Sequence, residues 1–264
     1  MSDGAAHGAP GGGGRARPTI NADMGESVGI HTFGNDEKLL DHVDTINVAG
    51  GLHAGDPSAI ARIVSQAVAR GVTVGAHPGL PDIAGFGRRE MSITPEEARD
   101  LIRYQTGAVA AFVDAAGGKL HHLKPHGALF AMLARDASLM DAACDVALQF
   151  EVPVFGLAGT QHEIVAARRG VPFVSEFYVD LDYTAEGMIV VNRTGTTREL
   201  TEVDDRARTA LISGTTISAS GTTIPVRAES LCVHSDLPNA VAVAARLRAV
   251  ITEVLPASGG VGAV

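Results

Sequence analysis

Short runs of apolar and β-branched residues alternate along the chain with longer stretches in which apolar positions recur at helical spacing. The short runs predict seven strands: Thr19–Ala22, Thr45–Val48, Thr73–Gly75, Leu120–Leu123, Val152–Gly156, Phe173–Glu176 and Leu231–Val233. The longer stretches predict helices at 58–69, 95–116, 137–150, 160–169, 201–211 and 239–254. Regular alternation of strand and helix indicates a parallel sheet with right-handed crossovers. About seven such units favour an α/β fold, a distorted TIM-like (β/α) barrel, over an open sheet.

The helix boundaries carry recognisable end signals. Pro57-Ser58 opens one helix, and Thr94-Pro95-Glu96-Glu97 opens another with a cap, a first-turn proline and early acidic residues in the expected order. Gly71 and Gly117-Gly118 stand where helix C-caps belong. Two stretches outside the repeat, Met188–Val191 and the Thr/Ser-rich 214–226, predict one or two extra hairpins.

The ends of the chain differ in composition from the rest. Residues 1–18 contain the run Gly11–Gly14, and both they and residues 256–264 are predicted to be flexible tails around one catalytic domain at 19–255. The glycine run does not indicate a phosphate loop, because no Lys-Ser/Thr follows it and no strand precedes it.

Composition narrows the class of protein. The chain of 264 residues has a formal net charge of −9, no lysine- or arginine-rich run, 4% aromatic residues and no tryptophan, so a nucleic-acid partner is not expected. Two distant cysteines, Cys144 and Cys232, form neither a disulfide framework nor a thiol-rich zinc site. The sequence has no apolar run long enough to span a membrane, and residues 1–18 lack the apolar segment of a secretory signal. We therefore expect a cytoplasmic protein.

Polar residues follow five of the predicted strands directly. These segments are Asn21–Glu26, Asn47–Pro57, Gly75–Arg89, Lys124–Gly127 and His234–Asp236. In (β/α) barrels the loops at the carboxyl ends of the strands build the active site, so these segments are expected to converge. A lysine in an apolar context is costly to bury unless it is paired or functional, which singles out Lys124. Cys232, between Leu231 and Val233, is predicted to be a core residue.

Two kinds of chemistry are compatible with this set. Glycines at 50, 51, 55, 75, 79 and 127 would let backbone amides approach an anionic ligand. Alternatively, Asp23, His53 and His77 could bind a divalent metal, since two imidazoles and one carboxylate form a familiar ligand triad.

Seven segments of the chain together resemble the LamB/YcsF family. They are INADMGES (20–27), NVAGGLHAGDP (47–57), GAHPGLPD (75–82), GFGRRE (85–90), KPHGALF (124–130), VFGLAG (154–159) and PVRAESLCVHSD (225–236). The resemblance covers about residues 19–250 and implies a barrel of the glycoside hydrolase/deacetylase type. It also implies ATP-dependent opening of 5-oxoproline, or a related lactam, to L-glutamate by an A-type subunit working with separate B and C subunits.

The resemblance suggests a role for each candidate residue. Asp23 or Glu26 would be the general base, a histidine would protonate the leaving nitrogen, and Lys124 would hold developing charge. Arg88 or Arg89 would bind a substrate carboxylate. The predicted catalytic residues are Asp23, Glu26, His53, His77, Lys124 and His126, and the predicted substrate-binding residues are Asn21, Asn47, Arg88, Arg89, His234 and Asp236.

The chain departs from the family pattern at three places. Gly50 replaces a cysteine, Leu181 replaces an arginine, and Thr194-Gly195-Thr196 replaces Pro-Gly-Ala. These changes bear on the substrate more than on the reaction. Two other functions stay open: a metal-dependent amide hydrolase or deacetylase that uses Asp23, His53 and His77, and a non-catalytic regulatory subunit. No nucleotide-binding motif is present, so ATP would be bound with the partner subunits.

Overall fold

The computed structural model describes residues 17–191 and 197–256. Its strands are β1 (Thr19–Met24), β2 (Thr45–Ala49), β3 (Thr73–His77), β4 (Leu120–Leu123), β5 (Val154–Gly156), β6 (Phe173–Tyr178), β7 (Thr215–Ile217), β8 (Thr223–Pro225) and β9 (Ser230–His234). Its helices are α1 (Asp36–Leu39), α2 (Pro57–Ala69), α3 (Pro95–Ala115), α4 (Gly127–Arg135), α5 (Ala137–Gln149), α6 (Gln161–Arg169), α7 (Leu200–Ser213) and α8 (Ala240–Val254). The predicted tails and Thr194-Gly195-Thr196 lie largely or wholly outside the described residues.

Seven parallel strands close into a barrel in the order β1-β2-β3-β4-β5-β6-β9. Strand β9 closes it, because it pairs with β1 on one side and with β6 on the other. The predicted (β/α) barrel of about seven strands is therefore confirmed, and all seven predicted strands belong to it. The predicted hairpin at 214–226 is the antiparallel pair β7-β8. The stretch 188–191 forms an isolated antiparallel bridge between Tyr183 and Ile189, flanked by the hydrogen bonds Thr184 N–Met188 O and Val190 N–Asp182 O, and no further strand pair among the described residues.

The sequence signals for helix ends act as expected. Asp56 caps α2 by accepting hydrogen bonds from the backbone of Ser58 and Ala59. Thr94 and Glu97 form a reciprocal capping box at the start of α3.

Two helices were not predicted. Helix α4 escapes the amphipathic pattern because it is apolar nearly all round, with six of its nine residues buried. It also begins without a side-chain cap, at Gly127 with φ of +52°. Helix α1 is a single short turn of four residues.

The barrel strands place apolar and polar side chains on opposite faces. On β1, Ile20, Ala22 and Met24 are fully buried in the main hydrophobic cluster, beneath the surrounding helices. Asn21 and Asp23 alternate with them and point into the barrel. The interior is therefore filled by a buried polar network rather than by the layers of branched aliphatic side chains that are common in TIM barrels. No helix in the described part of the chain is long and apolar enough to span a membrane.

Candidate active site

A cleft of about 190 Å³ opens at the carboxyl ends of the barrel strands. This volume is below the roughly 300–1,000 Å³ of pockets for drug-sized ligands, which suits a small substrate. The polar side chains that line it are Asp23, His77, Arg88, Lys124, His126, Tyr178, Asp180, Asp182, Thr197, Arg198, Glu202, His234 and Asp236. The predicted convergence of loops after separate strands thus brings residues from β1, β3, β4 and β9 to one place.

A buried ion pair forms the floor of this cleft. Lys124 Nζ lies 2.9 Å from Asp23 Oδ1 and 3.3 Å from Glu176 Oε1. Asn47 donates to the same Asp23 oxygen over 2.6 Å, and Lys124 also contacts the Sγ of Cys232 at 3.0 Å. Because both ions have several partners, the pair is fixed in position in a place that water reaches poorly.

The electrostatics of the pair follow from this arrangement. Burial opposes ionisation of Asp23, yet the pKa of its carboxyl is held well below the usual value by His77 and Lys124. Burial likewise disfavours the Lys124 ammonium. The neighbouring negative groups, of which Asp23 has the largest effect, nevertheless raise the pKa of Lys124 well above its ordinary value. Asp23 is thus a carboxylate and Lys124 an ammonium at neutral pH.

Glu176 and Tyr178, which the sequence did not single out, complete the surroundings of the Lys124 ammonium. Glu176 shares the Lys124 ammonium and accepts a hydrogen bond from the Tyr178 hydroxyl over 2.8 Å. The ammonium also lies 5.4 Å from the centre of the Tyr178 ring, a cation–π contact. Cys232 is buried as predicted, but its sulfur belongs to this polar network. The alternation of polar and apolar residues on β9 is a signal that could have identified Cys232 as an inward-facing position, whereas β6 does not alternate and gives no such signal for Glu176 and Tyr178.

A second cluster joins three histidines to Glu26. His126 Nδ1 lies 2.9 Å from His77 Nε2, and the rings of His53 and His126 stack with centroids 3.8 Å apart. Glu26 Oε1 is 3.5 Å from His53 Nε2 and 3.8 Å from His126 Nδ1. His77 and His126 line the cleft, whereas His53 and Glu26 lie behind them.

Burial dominates the ionisation of this cluster. Burial, followed by repulsion from Asp23 and Asp236, raises the pKa of Glu26 well above its usual value. Burial also lowers the pKa of His53 and of His126 well below the usual value, with neighbouring histidines adding to the effect.

The lining of the cleft also carries an acid–histidine pair and an arginine. His234 Nδ1 lies 2.9 Å from Asp180 Oδ2, and its Nε2 lies 3.6 Å from Asp23 Oδ2. Burial alone would lower the pKa of His234, but the Asp180 carboxylate outweighs it and raises the pKa. Arg88 contacts Asp236 over 3.0 Å and keeps its side chain largely buried at the cleft.

Some predicted substrate-binding residues lie elsewhere. Asn21 and Asn47 are fully buried beneath the cleft, where the amide of Asn47 donates to Asn21 Oδ1 over 2.8 Å. Their position indicates that they orient Asp23 and Lys124. Arg89 is not among the residues that line the cleft; its side chain is half exposed and pairs with Asp82.

The departures from the family pattern lie at different distances from the site. Leu181 lines the cleft beside Arg198. Gly50 does not, and a Cβ there would collide with the side chain of the fully buried Gln105. Of these two changes, only the one at Leu181 therefore alters the surface that a substrate would meet.

Two groups of side chains among the described residues could hold a metal ion. They are Glu26 with His53, His77 and His126, and Asp23 with Cys232 and His234. The predicted triad of Asp23, His53 and His77 does not form one group, because Asp23 belongs to the second set. The Lys124 ammonium already contacts both Asp23 and Cys232, so the second group contains its own cation.

The fold and the site define a (β/α)-barrel enzyme with a buried Lys–Asp pair and a histidine cluster at the carboxyl ends of its strands. The model of the LamB/YcsF family matches residues 19–256, and the chain belongs to that family. It is 39% identical over 241 residues to the 5-oxoprolinase A subunit of Limosilactobacillus fermentum, with 89% of this chain and 96% of that protein covered.

Two further relatives agree. The chain is 39% identical over 243 residues to the lactam utilization protein lamB of Emericella nidulans, covering 90% of this chain and 96% of that protein. The crystal structure of a lactam utilization protein from Thermus thermophilus superposes with a TM-score of 0.82 at 37% identity, covering 90% of this chain and 96% of that one. The resemblance inferred from the sequence motifs is therefore confirmed.

Proposed function

We propose that this chain is the A component of an ATP-dependent 5-oxoprolinase, which opens 5-oxoproline to L-glutamate together with B and C subunits in the cytoplasm. The observation that carries the proposal is the buried Lys124–Asp23 pair beside His234, whose Nε2 lies 3.6 Å from Asp23 Oδ2, in a cleft suited to a small ring. Relatives named as the A component of 5-oxoprolinase, matched over nearly their whole length, support the choice of substrate.

The reaction needs activation because a five-membered lactam is an ordinary, unreactive amide. Transfer of the terminal phosphoryl group of ATP to the amide oxygen would make the ring carbon electrophilic. One water then adds to that carbon and the ring C–N bond breaks, which leaves an acyl phosphate. A second water hydrolyses it to glutamate and phosphate. The sequence has no phosphate-loop motif, so we assign the nucleotide to a site formed with the partner subunits.

The residues of the cleft supply the proton transfers. Asp23 is ionised and lies at the floor, so it accepts the proton of the attacking water. His234 is held by Asp180 in a state that favours the imidazolium, so it donates a proton to the departing ring nitrogen. Lys124 stabilises the negative charge that develops on oxygen, and its neighbours keep it from moving.

The carboxylate of 5-oxoproline also needs a partner. Arg88 lines the cleft with its guanidinium already beside Asp236, and planar guanidinium groups bind carboxylates with two parallel hydrogen bonds. We assign substrate binding to Arg88 rather than to Arg89, which lies away from the cleft.

The test measures glutamate and ADP formed from 5-oxoproline by the chain alone and by the chain with its B and C partners. We expect product only with ATP and the partners, and a loss of at least about 100-fold in kcat for Asp23→Asn, as for the removal of a general base. Full activity of Asp23→Asn within an assembled complex would refute the assignment.

The histidine cluster favours one second candidate, a metal-dependent amide hydrolase or deacetylase. Three buried imidazoles and a carboxylate within reach of one another are the donor set of such enzymes. That enzyme would hydrolyse amides without ATP and would lose all activity with a chelator. Turnover of an amide by the chain alone, without nucleotide, would favour this second candidate over the ATP-dependent 5-oxoprolinase.

A further inference from the structure

Two histidine nitrogens in the cleft face each other in a way that neutral rings do not permit. His77 Nδ1 lies 2.7 Å from the backbone oxygen of Lys124, and His126 Nε2 lies 2.8 Å from that of Phe86. A carbonyl oxygen only accepts, so each of these nitrogens carries the hydrogen of its ring. In neutral rings the remaining nitrogens, His77 Nε2 and His126 Nδ1, then present lone pairs to each other across 2.9 Å, and His77 Nε2 also faces Asp23 Oδ2 at 3.3 Å.

Further lone pairs surround the same point. Glu26 Oε1 is buried, lacks a hydrogen-bond partner among the described residues and lies 3.8 Å from His126 Nδ1. Both ring nitrogens of the fully buried His53 also lack hydrogen-bond partners there, and its Nε2 lies 3.5 Å from the same Glu26 oxygen. Buried polar atoms left unpaired are destabilising, so such a group needs a ligand that satisfies several of them at once.

We propose that Glu26, His77 and His126 bind one divalent transition-metal ion, with Zn²⁺ as the best fit, and that His53 completes the site. Two nitrogens that share one tetrahedral zinc ion at about 2.0–2.1 Å lie roughly 3.3 Å apart, so the two facing nitrogens, now 2.9 Å apart, need to separate by only a few tenths of an ångström. Imidazole-rich sites favour Zn²⁺ and its neighbours over Mg²⁺, which prefers oxygen ligands and water.

The surroundings of the cluster are those of a metal site. Each of the two facing histidines uses the N–H on its outer ring nitrogen to donate to a backbone carbonyl. This hydrogen bond fixes the ring so that the nitrogen without a hydrogen points inward. His53 lies parallel to His126, so its ring must tilt to reach the same ion. For this reason His53 is the last ligand of the set and the one whose loss matters least.

Asp23 is not a member of this set. Its Oδ2 borders the cluster, 3.3 Å from His77 Nε2, but its Oδ1 accepts from both Asn47 and Lys124, so the Lys124 ammonium already balances its charge. Glu26 Oε1 instead lies beside the rings of His53 and His126, and it is the carboxylate oxygen left for the ion.

A shared proton is the competing explanation for the 2.9 Å contact between His77 and His126. One proton would join the two rings, but it would leave Glu26 Oε1 and both nitrogens of His53 unsatisfied. A metal ion accounts for the facing pair, for Glu26 Oε1 and for one nitrogen of His53 together. The ion would lie under the cleft floor that His77 and His126 help to form.

The experiment uses the full chain alone, without lactam, nucleotide or partner subunits, so its outcome is independent of the proposed reaction. The protein is stripped with a chelator, then titrated with Zn²⁺ while bound metal is counted by elemental analysis and thermal unfolding is followed. We expect about one ion per chain and a higher Tm for the loaded protein, because a ligand that binds only the folded state stabilises it. Loading with Co²⁺ should give the visible absorption of a nitrogen- and oxygen-ligated ion.

Variants identify the ligands. Glu26→Gln and His126→Gln should each weaken Zn²⁺ binding by at least about 100-fold, since loss even of groups that only support a ligand costs 10–100-fold. His53→Gln should weaken it less, and His31→Gln, at an exposed histidine, should leave it unchanged. If a variant fails to fold, the stripping and reloading of the unsubstituted chain still decides.

Failure to bind Zn²⁺, Co²⁺ or Mn²⁺ stoichiometrically would overturn the proposal and leave the proton as the bridge. Unchanged binding in both Glu26→Gln and His126→Gln would overturn it as well, because the ion would then lie elsewhere.

Discussion

The Nζ of Lys124 lies 2.9 Å from the Oδ1 of Asp23, and both side chains are almost completely buried. An ion pair in such a position contributes little net stability, because the cost of removing both charges from water offsets their attraction. Here the pair is also surrounded by Glu176, Asn47 and Cys232, so no member can be removed without leaving another unpaired. The proposed roles of Asp23 and Lys124 in catalysis account for the pair better than a contribution to folding does.

Removal of the lysine charge should therefore destabilise the protein strongly. Lys124→Met leaves two buried carboxylates, Asp23 and Glu176, without their cation, which costs about 3–5 kcal/mol of unfolding free energy. Urea denaturation measures the change. Lys119→Met, an exposed lysine before the same strand, should change stability by less than about 0.5 kcal/mol. Equal effects of the two substitutions would show that the buried pair is not special.

The pH dependence of activity should report His234. Its pKa is raised, and its imidazolium is the proposed proton donor, so kcat should be highest below that raised pKa and fall as pH rises through it. Its contribution to stability has the same sign: it is complete below the ordinary pKa of 6.5 and is lost as pH rises through the raised value.

Asp180→Asn isolates this effect. Without the Asp180 carboxylate, burial lowers the pKa of His234, so the fall in kcat should begin at lower pH. A profile of kcat against pH for the assembled complex provides the measurement. An unchanged alkaline limb in Asp180→Asn would mean that another group donates the proton.

The sequence was sufficient for the barrel but not for its interior. Strand and helix patterns, with the caps at Asp56 and Thr94, depend on local spacing, which single-sequence reasoning handles well. The rule that loops after parallel strands meet was also enough to bring Asp23, Lys124 and His234 together.

Pairings across the barrel could not be predicted, because they depend on register. Nothing local indicates that Glu176 and Cys232 share the Lys124 ammonium, or that Glu26 rather than Asp23 joins the histidines. The distinction between Arg88 and Arg89 is of the same kind, since adjacent residues point in different directions only once the loop has folded.

Arg88 and Arg89 offer a matched test of substrate binding. Arg88→Ala should raise KM for 5-oxoproline by about 10–100-fold, since hydrogen bonds to charged groups contribute about 1.5–3 kcal/mol. Arg89→Ala, which removes only the pair with Asp82, should leave KM unchanged. Steady-state kinetics on the complex distinguishes them. Turnover of a lactam without a carboxylate should not respond to Arg88→Ala, and a similar loss on that lactam would point to a structural role for Arg88.

Gly75 tests how the polar interior is packed. A Cβ at this position on β3 would collide with the ring of His122, which contacts Asn47 Oδ1 over 2.6 Å inside the barrel. Gly75→Ala should therefore cost about 1–3 kcal/mol of unfolding free energy by overpacking. It should also disturb Asp23 through Asn47, so kcat should fall with stability.

Gly107 is the control for this substitution. It lies within α3, and a Cβ there meets no atom closer than 3.9 Å. Gly107→Ala should stabilise the protein by about 0.5–1 kcal/mol, because alanine loses less backbone entropy in a helix. Thermal and urea unfolding of the two variants side by side give the comparison. If Gly75→Ala were as harmless as Gly107→Ala, the His122 ring would be free to move, and the barrel interior would be looser than its network of hydrogen bonds implies.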